Sequence, residues 1–542
     1  MNKLHFALAA VWLLLSASAG RAGADTTDRP DFTALRGSSK YTLVNEGMGK
    51  PPQFVPGGLL LLDGEANQRN AVVLDRTAAG LYRHIEIRWN MTIGTGGDTA
   101  SLVLLNTASA GVTGPPSTPV PWQEPKLKNT FAVLFDIHSP PTTDPFSKDG
   151  NIYDRPQREI ALYWDGVEIV RRLSPVEFRT GKPLTMQADL DFVCGGAELS
   201  LNVAGTDVYT HTFLPGMRPY ESRTAFAGTT SAAKTSLGLS KVSVTYHDRF
   251  GSPPPPRTII AIDGLPLDSG HSAQSSLVAF PDRADSYGRI VCTLTLDKPD
   301  SGPIDPWDRA AAVYLYDETG QKFEILRFIT PYRRGYSWQT DVSDYRPLLR
   351  GKKKVEAWCV TYANGWKTSV RFDFYPGKTD RKAVRVVNLW SGTHEIGNPD
   401  KPLSAFFSPK TIAIDPKTDY AKLRFTVTGH GMSPNTDNAA EFMPSRRTVT
   451  VGGRSFENLL WKDDNYLNPC RPQGGTWKYD RAGWAPGDVV RPWEIDITGL
   501  IPAGQSGTVN YDVAPYVNTE RGKANPPTHW VESQLILYKK SR

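Results

Sequence analysis

Residues 310–332 read AAAVYLYDETGQKFEILRFITPY. Two strand-like apolar runs flank a short polar turn containing Gly320, which marks a β-hairpin rather than a helix. A second pair follows at 355–375, VEAWCVTYANGWKTSVRFDFY, turning at Asn364-Gly365. AKLRFTVTGHG (421–431), SRRTVTVGGRS (445–455) and PWEIDITGL (492–500) keep the same rhythm, and no stretch reads as a long helix. A break at Pro376-Gly377-Lys378-Thr379-Asp380 divides this region into two antiparallel β-sandwiches, 258–378 and 379–542.

Upstream lies GSPPPPR, residues 251–257, whose proline run predicts a stiff polyproline II linker and a domain boundary. Residues 25–250 are again strand-rich. LYRHIEIRWNMTI (81–93), KNTFAVLFDI (128–137), REIALYWDGVEIV (158–170) and LSKVSVTYHD (239–248) alternate or run apolar between turns. Trp164 leads into Asp165-Gly166, the sign of a strand entering a tight turn. The fold class expected is all-β, with an N-terminal β-sandwich ahead of two more. The totals agree. A chain of 542 residues suggests three to four domains at about 150 residues each. Its 47 Gly and 43 Pro argue against a helical bundle. At 39% hydrophobic, it can still fill several cores.

The chain begins MNKLHFALAAVWLLLSASAG. Lys3, the apolar run Ala7 to Leu15 and the small residues ending at Ala22-Gly23-Ala24 read as a secretory signal peptide, 1–24. The run is too short to span a membrane about 30 Å thick. A secreted or periplasmic chain without a membrane span follows. Removing Lys3 and Arg21 lowers the formal net charge from +6 to about +4. Lys352-Lys353-Lys354 and Arg333-Arg334 sit beside turn residues and read as solvated loops, so no nucleic acid partner is expected. Cys194, Cys292, Cys359 and Cys470 allow three complete disulfide pairings, and nothing in the sequence chooses among them. Without a CxxC or Cys/His cluster, zinc is not expected.

The candidate chemistry lies mostly in the C-terminal half. Beyond Trp12, three tryptophans precede the linker and ten follow it. Several of the ten sit in polar, loop-like settings: PIDPWDR (303–309), GGTWKYDRAGWAPG (474–487) and PPTHWVE (526–532). Aromatic faces beside polar groups suit sugars, whose C–H faces stack on rings while their hydroxyls take hydrogen bonds. Two carboxylates share these settings. Asp308 stands between Trp307 and Arg309, and Glu441 lies in GHGMSPNTDNAAEF (429–442). An aromatic neighbour desolvates an acid and raises its pKa, while an arginine lowers it. Acid/base groups are tuned by such opposed pressures. In the N-terminal part, Asp136, Asp144, Asp149 and Asp154 share one acidic loop that offers calcium ligands, although no fixed ligand spacing appears.

PWDRAAAVYLYDETGQKFEILRFITPYRRG (306–335), TDVSDYRPLLRG (340–351), AKLRFTVTGHG, DNAAEF (437–442) and GGTWKYDRAGWAPG occur in an order that closely resembles the peptide-N-glycosidase F family. The resemblance runs from about Ile259 into the last strand. It implies two side-by-side antiparallel jelly rolls with the active cleft between them. It also implies hydrolysis of the amide joining an asparagine side chain to the first N-acetylglucosamine of an N-linked glycan. The partners implied are N-linked glycoproteins or glycopeptides, met by a monomer without a metal or organic cofactor. The family's principal catalytic aspartate falls on Asp308 and its catalytic glutamate on Glu441. Its cleft arginines match Arg309 and Arg481, and its cleft tryptophans match Trp307 and Trp484. His430 and Tyr362 complete the expected substrate-binding and supporting set. AFAGTTSAAKTSLGLSKVSVTY (225–246) resembles the closing strands of concanavalin A-like lectin/glucanase sandwiches, which makes the N-terminal sandwich lectin-like and implies a binding domain.

The chain departs from the family in two places. A third family acid falls on Val360 or Cys359, neither of which is a carboxylate. Glu356 is about 13 Å away along the strand from Val360. Ala439, Met443 and Ala485 stand where family cysteines would. The second reading from another class is therefore a glycan-binding or adhesion protein that no longer catalyses. A copper monooxygenase would need clustered His and Met ligands, and the nine His are scattered. A glycosidase using Asp308 and Glu441 as its carboxylate pair is possible on chemistry alone, against the family match.

Overall fold

The structure is a computed structural model that describes residues 26–29, 40–46, 48–96, 98–117, 125–136, 158–433, 436–520 and 525–541. The expected signal peptide and Asp144, Asp149 and Asp154 lie outside the described residues. Asp136 is described, and its carboxylate is 2.8 Å from the guanidinium of Arg171. Among the described residues no helix is long and apolar enough to cross a membrane.

The chain is all-β. In the N-terminal domain an eight-stranded and a seven-stranded antiparallel sheet face each other. Leu81–Ile93 shows why: Tyr82, Ile85, Ile87, Trp89, Met91 and Ile93 alternate inward, with polar residues between them. They meet Phe131, Val133 and Phe135 from the opposite sheet in one core.

The first C-terminal domain is built from β1 (Arg257–Leu267), β2 (Ala273–Phe280), β3 (Tyr287–Asp297), β4 (Ala310–Tyr316), β5 (Lys322–Ile329), β6 (Tyr336–Asp341), β7 (Gly351–Cys359) and β8 (Trp366–Pro376). Its sheets run β1-β8-β3-β6 and β2-β7-β4-β5, the wiring of an eight-stranded jelly roll. The second domain repeats that wiring. It uses β9 (Arg381–Glu395), β10 (Lys410–Ala413), β11 (Tyr420–His430), β12 (Ser445–Val451), β13 (Arg454–Leu460), β14 (Trp493–Asp496), β15 (Ser506–Val513) and β16 (Thr528–Lys540). Its sheets are β9-β16-β11-β14 and β10-β15-β12-β13.

The β4–β5 hairpin is the stretch 310–332. Asp317 caps its turn by accepting the backbone N–H of Thr319 and of Gln321, each at 2.9 Å. Gly320 takes φ 82°, which a side chain would resist.

The two rolls lie side by side and share apolar packing. Ala383, Val386, Ile536 and Tyr538 of the second roll belong to the same buried cluster as Val313, Leu315 and Phe328 of the first. A polar seam continues the contact. Tyr345 donates to Gln534 at 2.8 Å, and Arg327 donates to the Trp530 carbonyl at 2.6 Å. The N-terminal domain touches both rolls. Arg289 lies 3.7 Å over the Phe213 ring, and Arg471 reaches Glu159 at 3.6 Å and Glu168 at 3.5 Å.

All four cysteines are free: Cys292, Cys359 and Cys470 are buried and Cys194 is half-buried. None of the three possible pairings is made.

Candidate active site at the junction of the two rolls

The loop before β4 positions Asp308. Asp305, fully buried, accepts the backbone N–H of Trp307 at 2.9 Å and the Arg309 Nε–H at 3.2 Å, and also takes the Thr361 hydroxyl. Thr330 at the end of β5 accepts the Arg309 N–H at 2.8 Å and returns its own N–H to the Arg309 carbonyl at 2.9 Å. Clamped on both sides, the loop leaves Trp307 58% exposed and turns Asp308 inward. Tyr362, 84% exposed, stands 5.7 Å from the Arg309 guanidinium.

Glu441 belongs to the second roll. It follows a two-residue ladder of Met432–Ser433 with Ala439–Ala440. Ala439 and Ala440 are fully buried and pack with Ile396, Leu403, Met443 and Tyr516. At the positions where the resemblance implied cysteines, Ala439 and Met443 therefore hold the segment by apolar contact. Main-chain bonds fix Glu441 itself: its N–H goes to Gly431 at 3.1 Å, and its carbonyl accepts from Ala482 at 2.9 Å.

Arg481 joins the two carboxylates. It is fully buried, with Nε donating to Glu441 at 3.1 Å and Nη2 3.8 Å from Asp308. Its remaining donors meet the carbonyls of Thr476 (2.8 Å) and Tyr479 (2.9 Å) and the Thr476 hydroxyl (2.7 Å). Those bonds pin the guanidinium before any substrate arrives. Tyr332 closes the ring. Its hydroxyl lies 3.3 Å from that of Thr476, and its ring rests against Gly475. A Cβ at Gly475 would come within 2.6 Å of the Tyr332 ring.

The electrostatics raise the two acids. Burial pushes Glu441 up to about 7; Arg481 opposes the rise and Asp308 adds to it. Burial also raises Asp308, and Arg481 and the Tyr332 hydroxyl pull it back. Both carboxyls are thus raised, and Glu441 is brought into the range where a carboxyl can exchange a proton near neutral pH.

The supporting residues fall into two groups. Trp307, Arg309 and Tyr362 form one lip. Trp484 is 3% exposed and does not offer an open stacking face. Its indole N–H is committed to the Gly429 carbonyl at 2.7 Å, and its ring lies 4.8 Å from Arg481 and stacks on His430 at 5.3 Å. Trp484 and His430 thus back the guanidinium. Burial drives His430 down to about 3, so the ring is neutral beside that positive charge. Of the positions matching the third acid, Cys359 is buried in the first roll's core and Val360 is 41% exposed. Glu356 is engaged elsewhere, 3.1 Å from the Tyr316 hydroxyl and 3.0 Å from Lys354.

Asp305, Tyr332 and Thr476 are site residues that reading the sequence did not single out. The signals were present: an acid two residues before Trp307, and a tyrosine and a threonine inside the RFITPY and GGTW motifs. Among the described residues no cluster of three or more His, Cys, Asp or Glu is arranged to hold a metal ion.

Residues 403–536 match the family model described as peptide-N-glycosidase F, C terminal. The peptide-N(4)-(N-acetyl-beta-D-glucosaminyl)asparagine amidase F of Elizabethkingia miricola is 31% identical over 229 residues, covering 40% of this chain and 64% of that protein. A crystal structure of a peptide-N(4)-(N-acetyl-β-D-glucosaminyl) asparagine amidase covers 53% of this chain and 97% of its own, at 25% identity and TM-score 0.48. PNGF-II covers 84% of this chain and 99% of its own, at 11% identity and TM-score 0.44. Over residues 403–536 the chain is similar to the peptide-N-glycosidase F family, and it spans less than two thirds of the length of the curated relative it matches.

Proposed function

We propose that the chain is an exported peptide-N-glycosidase that hydrolyses the amide between asparagine and the first N-acetylglucosamine of N-linked glycans, leaving aspartate. One observation carries the reading: Asp308 and Glu441, from different rolls, converge on the single buried guanidinium of Arg481. Similarity to the peptide-N-glycosidase F family supports the reaction class.

Amide hydrolysis needs an activated water, stabilised negative charge on the carbonyl oxygen and a proton for the leaving nitrogen. Asp308 is the base that takes the proton of the attacking water. Glu441, pushed up to about 7, carries the proton that the leaving glycosylamine requires. Arg481, with its donors fixed, holds both carboxylates in register. Trp307 and Tyr362 present exposed rings to the sugar beside Arg309. The N-terminal sandwich serves as a lectin-like binding domain, and the protein works as a monomer on glycoproteins or glycopeptides outside the cytoplasm.

Incubation with a denatured N-glycoprotein, followed by mass analysis of the peptides, tests this. Each released site gains about 1 Da as the amide becomes an acid. Free glycan with asparagine retained would mean a glycosidase. The lack of a carboxylate at either Val360 or Cys359, the two positions where the resemblance implied an acid, favours the second reading of a glycan-binding protein without turnover; bound glycan with no mass change would establish it.

A further inference from the structure

We propose that the cavity where all three domains meet is a second glycan site, specific for acidic oligosaccharides and formed by no domain alone. It encloses about 790 Å³. Ligand sites are typically about 300–1,000 Å³ and favour domain junctions. The proposal does not depend on whether Asp308 and Glu441 hydrolyse anything.

Cross-domain contacts build the walls. Tyr336 of the first roll donates to the Glu168 carbonyl of the N-terminal domain at 3.4 Å. The Trp338 indole donates to the Gly487 carbonyl of the second roll at 3.0 Å. Arg471 pins the second roll to Glu159 and Glu168.

The lining has the chemistry of a sugar site. The half-buried Trp164 stacks on Tyr220 at 5.7 Å and 26°, a flat apolar platform for the C–H face of a sugar ring. Exposed Gln339 faces it from the first roll and offers both donor and acceptor for hydroxyls.

Charge selects the class of sugar. Four exposed arginines line the space: Arg172, Arg218, Arg371 and Arg491. Arg371 is paired with Asp373 at 3.0 Å. Arg172 and Arg218 donate to backbone carbonyls, at 3.2 Å and 2.8 Å, which holds the guanidinium without cancelling its charge. The three acids of the lining are answered by bases outside it: Asp165 by Lys128 at 3.6 Å, Glu168 by Arg171 at 2.9 Å, Asp488 by Lys462 at 3.7 Å. A carboxylate-bearing sugar meets this residual positive charge.

The site is separate from the candidate catalytic centre but shares a segment with it. The chain between β13 and β14 contributes Arg481 and Trp484 to the centre and Gly487, Asp488 and Arg491 to the cavity.

Calorimetric titration of the full chain with a free sialylated biantennary oligosaccharide, and with its desialylated form, tests the proposal. Neither probe carries an asparagine amide. The sialylated sugar should bind about tenfold more tightly or better, a gap of about 1.4 kcal/mol. Gln339→Ala with Arg491→Ala should weaken it about tenfold, whereas Trp307→Ala should leave it unchanged. Thermal unfolding of the double variant at the wild-type midpoint confirms its fold; if it shifts, Arg218→Ala replaces it. Absence of binding, equal binding of the two sugars, or loss in Trp307→Ala with retention in the double variant would overturn the proposal.

Discussion

Two carboxylates and one guanidinium set what the centre can do, and each has a distinct expected failure. Under the proposed mechanism Asp308→Asn keeps the shape and removes the base, so turnover should drop by about 10²–10⁴, with an unchanged circular dichroism spectrum. Glu441→Gln should cost a similar factor by removing the proton donor. Because burial pushes Glu441 up to about 7, turnover should fall as pH rises through that value. It should also fall on the acid side as Asp308 takes up its proton, which gives a bell-shaped profile of kcat/KM. Tyr332→Phe deletes a hydroxyl whose influence favours ionised Asp308. The acid limb should therefore move to higher pH while the alkaline limb stays, a result that loss of packing alone would not give. Which of these residues were readable in advance follows from what each one contacts. Asp308 and Glu441 stand in recognisable motifs. Tyr332 and Thr476 act through hydroxyls that meet 144 positions apart in the chain, a proximity no local pattern encodes. Trp484 was matched by resemblance to a cleft tryptophan, but its burial could not be read from sequence, because tryptophan serves cores and clefts alike.

At the scale of the element, the hairpin of β4 and β5 does two jobs. Its inward face fills the first roll, and its other face carries a buried charge cluster toward the second roll. Arg327 on β5 makes two bonds to Glu324, at 2.9 and 2.8 Å, and lies 3.7 Å over the Trp530 ring of β16. Burial and the nearby Glu324 push the pKa of Glu532 upward. Arg327→Met would leave Glu324 buried without a counter-charge. We expect a loss of about 3–5 kcal/mol in urea unfolding, largely recovered when Glu324→Leu is added. The strands of this hairpin were legible because Gly320 and the polar turn punctuate two apolar runs. The charges within them were not, since an isolated Glu and Arg in a strand read equally well as a solvated face.

At the scale of the molecule, the apolar packing shared by the rolls predicts cooperative behaviour. Val313 in β4 and Val386 in β9 belong to one buried cluster although they lie in different rolls. Truncating either to alanine should lower the same calorimetric transition, with no separate transition for one roll. The N-terminal sandwich has its own core and should respond to neither. Sequence rhythm marked the strands and turns, but it could not show that the two rolls share one buried cluster, because that rests on β9 and β16 lying against the neighbouring roll. The free cysteines carry a practical consequence. Burial pushes the thiols of Cys292, Cys359 and Cys470 up to about 12, which leaves them unreactive, and no covalent cross-link contributes to the fold. The thermal midpoint should therefore be the same with and without millimolar dithiothreitol. The chain can then be produced in a reducing cytosol, and the proposed activity can be assayed in the same tube as a reductant that opens the disulfides of a glycoprotein.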